Sequence, residues 1–181
     1  LYLKSIETLC KDLIVWEDKK FKISKHASNI SNDQDNKNIE SYDLDYGEAF
    51  IKSGKKVTNQ IDVFTFNKKN KTLCSYEIKR GGGHHDRQKK DKLLADILAT
   101  LILMKSYGKK VKNLDVLSAK SFVISHMNQD LVHPTWKKIQ IYGRDIDKHF
   151  NAPVSEQIEL GLDYFKTEYN KCLKNWFKSN Y

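Results

Sequence analysis

The sequence predicts an α/β fold, a mixed central β-sheet with helices on both faces. Three observations carry this. Residues 60–79 read as a β-hairpin, two alternating apolar and polar runs around the turn Asn67-Lys68-Lys69-Asn70-Lys71. A long amphipathic helix follows, with Leu93, Leu94, Ile97, Leu98, Leu101 and Met104 as its buried face. Beyond it, Ser121-Phe122-Val123-Ile124-Ser125 reads as a buried strand, and strand–helix–strand implies a right-handed crossover and parallel pairing.

Taken in order, Leu3, Ile6, Leu9, Cys10, Leu13, Ile14 and Trp16 fall on one stripe, which predicts a packing helix over residues 1–17. Residues 22–41 are Ser-, Asn-, Asp- and Lys-rich without a period, and read as a long polar loop. Residues 42–56 carry Leu44, Tyr46, Ala49, Phe50 and Ile51 around Gly47-Glu48, enough for a short element turning back beside the hairpin. After the hairpin, Gly81-Gly82-Gly83 permit a turn or close approach to a phosphate, with no Walker pattern behind them. His84 and His85 are adjacent and diverge, so they give zinc no third ligand. Asp86 is placed to cap the following helix, expected over 87–106 and ended by Gly108. Pro134 breaks the chain, 139–143 form an edge strand or connector, and Pro153 opens a final helix over about 153–178 with Ile158, Leu162, Phe165, Tyr169, Cys172 and Trp176 on a stripe expected to be core, its Lys residues and aromatics having nucleic acid or a second subunit as the alternative.

At 181 residues the chain is expected to be a single domain. It has no run of 18 apolar residues and no charged-then-apolar leader, so neither a membrane span nor a signal peptide is expected. Cys10, Cys74 and Cys172 are far apart and odd in number, as reduced core residues of a cytoplasmic protein would be. The formal net charge is +9, from 32 Lys and Arg against 23 Asp and Glu. That balance suits a polyanion partner, and equally a Lys-rich chain with a merely soluble surface.

The chemistry concentrates on the second hairpin strand. With period two, Ser75, Glu77 and Lys79 share a face, so a carboxylate and an ammonium project together from an inner strand. Asp62 joins them if paired positions sum to an odd number, for example Asp62 opposite Ser75 around a loop at 67–70, with Asp62 then about 7–8 Å from Glu77 between Cα atoms. Two carboxylates at that reach can share one divalent ion.

Asp62 followed by Glu77-Ile78-Lys79, with a Gly-rich exit and a long helix behind, resembles the PD-(D/E)xK nuclease superfamily over residues 60–107. Ile61 stands where the motif's name has Pro. The resemblance implies a restriction-endonuclease-like core and Mg²⁺-dependent phosphodiester hydrolysis, with Mn²⁺ able to substitute. It implies Asp62 and Glu77 as metal ligands, Lys79 beside the attacking water, and a third carboxylate for which Glu48 is preferred over Glu7 and Glu40. A polar residue of the following helix, carried onto Gln88, would support the site. Arg80, Arg87, Lys89 and Lys90 would contact the nucleic acid. DNA is the first expected substrate and a restriction-type endonuclease the first expected kind. A transposon, repair or RNA-processing nuclease, or a non-catalytic nucleic-acid-binding module, shares the pattern, and a homodimer or partner subunit is compatible with all of them.

Overall fold

The computed structural model describes residues 1–36, 38–47, 57–81 and 86–180. In chain order its elements are α1 (Tyr2–Leu9), β1 (Leu13–Ile23), α2 (Lys25–Ser31), β2 (Val57–Asn67), β3 (Thr72–Lys79), α3 (Arg87–Lys112), β4 (Ser118–Ser125), β5 (Gln140–Tyr142), α4 (Ile146–Phe150) and α5 (Val154–Asn180), with 3-10 turns at Ile39–Ser41, Pro134–Ile139 and Gly143–Asp145. The five strands form one mixed sheet in the order β1-β2-β3-β4-β5. β1–β2 and β2–β3 are antiparallel, whereas β3–β4 and β4–β5 are parallel. This is the α/β class the sequence predicts.

The sheet is covered on both sides. On one side, Phe64, Phe66 and Leu73 pack against Ala99, Ile102, Leu103, Met104 and Tyr107 of α3, and Val123 packs against Leu94, Ile97 and Leu98. On the other, Val63, Tyr76, Ile78 and Ile124 meet Tyr2 and Ile6 of α1, Ile146 of α4, and Val154 and Ile158 of α5. Full burial of such a side chain contributes about 1.5–3 kcal/mol, so β2 and β3, each with apolar side chains buried on both faces, are firmly held.

Several expectations need correction. The helix expected over 1–17 ends at Leu9. The turn at Cys10–Asp12 leads into β1, where the β-branched and aromatic run from Leu13 to Trp16 pairs with β2 instead of extending the helical stripe. The polar segment 22–41 is not one loop. It holds the end of β1, then α2, whose first turn is capped by the Ser24 hydroxyl accepting from Ala27 N–H at 3.0 Å, and the 3-10 turn at Ile39. The hairpin turns at 68–71 rather than 67–70, since Asn67 pairs with Thr72 and the Asn67 side chain accepts from the N–H groups of Lys69 and Asn70. β4 starts at Ser118.

The helix from Arg87 also runs through Gly108 to Lys112 and ends at Asn113, which is left-handed at φ 53°. Gly108 marks close packing instead. A Cβ there would lie 2.5 Å from Val116 Cγ2 and 3.0 Å from Leu73 Cδ2. The stripe of the last helix, expected to be core, is buried only at its start: Val154 and Ile158 are buried, while Phe165, Tyr169, Cys172 and Trp176 are exposed. No described helix is long and apolar enough to cross a membrane.

Candidate active site

β3 lies third of five in the sheet, hydrogen-bonded on both sides, with Glu77 level with Val123 and Lys79 level with Ser125 of β4. Because Glu77 and Lys79 are two residues apart on one face, their side chains meet. Lys79 Nζ donates to Glu77 Oε1 at 2.6 Å. Glu77 Oε2 is buried and has no hydrogen-bond partner among the described residues.

Asp62 arrives by a route that strict alternation does not foresee. Trp16 pairs with Phe64 and Asp18 with Ile61, so β1 spends one residue, Glu17, where β2 spends both Asp62 and Val63. That extra residue is a β-bulge, which bends a strand and re-aims a side chain. Its imprint is visible in the core. Ile61 and Phe64 pack in the cluster facing α3, whereas Val63 packs in the cluster with α1 and α5. The β2–β3 register has the expected odd sum, Val63 opposite Tyr76, and the carboxylate of Asp62 reaches across to β3, where Oδ2 accepts the Ile78 N–H at 2.8 Å. Asp62 thus adjoins Glu77 through the next backbone amide.

Electrostatics follow from this crowding. Burial pushes the Glu77 carboxyl up; Lys79 opposes the rise, and the charges of Asp62 and Asp96 add to it. Asp96, on α3, is also raised by burial, against the pull of Lys92 and Lys79. Asp96 is the residue that sequence reasoning missed. The signal was available: a carboxylate inside the run Leu93-Leu94-Ala95-Asp96-Ile97-Leu98 interrupts a buried stripe.

Glu77, Lys79 and Asp96 line a cleft of about 320 Å³ together with Asn59, Lys89 and Lys92. It adjoins a wider groove of about 780 Å³ that shares Lys92 and Asp96 and includes Arg87, Asp91 and His133, the last two joined at 2.7 Å. Of the other residues singled out from sequence, Lys89 therefore lines the cleft and Arg87 the groove. Gln88 is exposed in the first turn of α3 and is not among the residues lining the cleft. Lys90 is half-buried and acts electrostatically on Asp130, and Arg80 is exposed beyond β3, close enough to act on Tyr2. Glu7 is paired with Lys4 at 2.8 Å and Glu40 with Lys138 at 2.5 Å, and neither lines the cleft. Glu48, and the segment Gly82 to His85, lie outside the described residues. Among the described residues no group of three His, Cys, Asp or Glu side chains stands at metal-binding spacing.

Comparison with protein-family models, with curated proteins and with solved structures gave no match.

Proposed function

We propose that this chain is a divalent-metal-dependent nuclease that hydrolyses phosphodiester bonds, with DNA as the first substrate and Mg²⁺ as the metal. The observation that carries the reading is Glu77 Oε2, a buried carboxylate oxygen with no hydrogen-bond partner among the described residues, beside Lys79 on the central strand β3 and next to Asp62 of β2. A buried acceptor without a partner costs about 1–3 kcal/mol, a strain that clusters at functional sites.

The donor set fits Mg²⁺, which takes hard oxygen ligands and is commonly held by one or two carboxylates plus water. Glu77 through Oε2 and Asp62 through the oxygen not given to Ile78 would hold it. When bound, the ion supplies charge neutralisation at the phosphate and a more acidic bound water. Lys79 is the residue of this chain that acts on the water and the phosphate. Its ammonium, fixed at 2.6 Å on Glu77, sits where it can orient a water and stabilise charge developing on a phosphate oxygen. Lys89 and Lys92 on the cleft wall, and Arg87 in the adjoining groove, place cations along the path a phosphate backbone would take. Asp96 tunes the site through its charge on Glu77.

The test is incubation of the protein with plasmid DNA, single-stranded DNA and RNA, each with Mg²⁺ and with EDTA. Metal-dependent cleavage of DNA is expected. Absence of cleavage of all three substrates, with nucleic acid still bound, would refute the enzyme and leave a binding module.

A further inference from the structure

The last helix leaves the body of the protein after its second turn. Val154 and Ile158 are buried, and Gly161 lets Leu1 lie against the helix, since a Cβ there would be 2.4 Å from Leu1 Cδ2. From residue 163 to residue 177 the helix is exposed at all but one position, Glu168, which is half-buried. Its sequence nevertheless stays amphipathic. Leu162, Phe165, Tyr169, Cys172 and Trp176 follow steps of three and four, the spacing of a helix seam, with Leu173 and Phe177 beside it. Phe165 is 67% exposed, Tyr169 55%, Trp176 55% and Phe177 54%.

We infer that this seam is an interface with a second copy of the chain, the two α5 helices packing antiparallel about a two-fold axis near residues 170 and 171. The inference is independent of the proposed chemistry. Charge selects both partner and direction. Within the overlap that this axis allows, residues 161–170 carry Asp163 and Glu168 against Lys166, whereas Lys171 and Lys174 follow; Glu156 and Glu159 lie outside it. An antiparallel pair sets the acidic half of each helix on the basic half of the other and opposes the helix dipoles, while a parallel pair sets like on like. The register closes as well. An axis at that point brings Tyr169 against Cys172 of the partner subunit and Phe165 against Trp176 of the partner subunit, an isologous contact that a two-fold pair requires.

The area is sufficient. At roughly 200 Å² per aromatic side chain, the exposed fractions of Phe165, Tyr169, Trp176 and Phe177 offer about 500 Å² per chain and about 1,000 Å² per pair, the threshold for a specific interface.

Sedimentation equilibrium of the 181-residue chain across the micromolar range tests this. The expected result is a species of twice 21.1 kDa, and a single monomeric species throughout overturns the inference. The variant Phe165→Glu with Tyr169→Glu is expected to sediment as a folded monomer that still melts cooperatively, its midpoint lowered only as far as loss of the partner lowers it and independent of protein concentration, because these side chains project from the body; a dimer of that variant places the interface elsewhere and overturns the assignment. Direction is read by cross-linking in a Cys172→Ser background. Phe165→Cys and Trp176→Cys chains, mixed and oxidised, are expected to link to each other, and linkage of either only to itself overturns the antiparallel arrangement.

Discussion

Glu77→Gln removes a charge, nearly keeps the shape, and is expected to stabilise the metal-free protein at neutral pH. Lys79 satisfies Oε1, but Oε2 is buried without a hydrogen-bond partner among the described residues, and burial raises the carboxyl despite that lysine. What the variant removes is the buried charge, since its amide also leaves a polar atom at the Oε2 position; with the Glu77 side chain 21% exposed and the ion pair with Lys79 lost, the net gain is about 1 kcal/mol. For a chain of this size that is a rise in melting temperature of about 2–4 °C. The sign with pH is fixed by the upward shift. A carboxyl raised in the folded state contributes stability that is complete below its unfolded value near 4.3 and is lost as pH climbs through the folded value, so the variant's advantage vanishes in acid and opens toward neutrality. Mg²⁺ at ten times its Kd is expected to stabilise the wild type by about 1.4 kcal/mol and to leave the variant unmoved. Thermal unfolding of both proteins between about pH 4 and pH 8, in EDTA and in Mg²⁺, is the assay. A variant that is less stable than wild type at the alkaline end in EDTA would refute the argument that Glu77 is held under strain.

Asp62→Asn and Glu77→Ala are expected to abolish metal-dependent cleavage while the proteins still bind DNA, and Lys79→Ala to remove transition-state stabilisation on the order of several kcal/mol with affinity spared, all read by paired cleavage and binding assays. Neutralising Lys89 and Lys90 together is expected to weaken binding to all sequences alike and to flatten the salt dependence by roughly one to two units of slope, measured by titration at several salt concentrations; an unchanged slope would make that turn a solvated face only. In Asp96→Asn the acid limb of the pH–rate profile is expected to move to lower pH, because one of the charges that raises Glu77 is gone, and an unmoved limb would remove Asp96 from the site. Gly108→Ala is expected to cost about 1–3 kcal/mol in thermal unfolding, since its Cβ would meet Val116 Cγ2 at 2.5 Å.

How far the fold could be read depended on whether neighbours in space override the local pattern. The hairpin and β4 are apolar on schedule, and their existence was legible. β1 was not, because it is an edge strand: Glu17, Asp18, Lys19 and Lys20 interrupt its apolar residues, and edges tolerate such charge. α2 has only Ala27 and Ser31 buried, so its sequence lacks a stripe, and it stands by packing on α3. α3 showed the opposite difficulty. Every residue from Ile97 to Met104 is buried, since the sheet covers it on one side and α2 and the turn at Ile39 flank it elsewhere. The exposed seam of α5 has the same period as a core helix, and period alone does not say which body fills the other side.

The same distinction separates the parts of the site. Glu77 and Lys79 were legible as neighbours because two residues of one strand decide it. The bulge at Asp62 depends on its pairing with β1, the strand hidden in the sequence. The choice of Asp96 over Gln88 as the residue of α3 that faces the cleft depends on helix register against the sheet, and one contact fixes that register. Leu73 touches the site of Gly108, and α3 runs back along β3 from there. Four helical residues rise about 6 Å and two strand residues about 6.6 Å, so each step of two along β3 matches a step of four back along α3. Ser75 is then level with Met104, as the contact of its neighbour Ser121 with Met104 Sδ at 3.2 Å bears out. The next steps set Glu77 level with Thr100 and Lys79 level with Asp96. Gln88 falls two steps past the end of the strand and does not line the cleft, and it is the contact of Gly108 with Leu73, which the sequence does not show, that sets Asp96 beside Lys79.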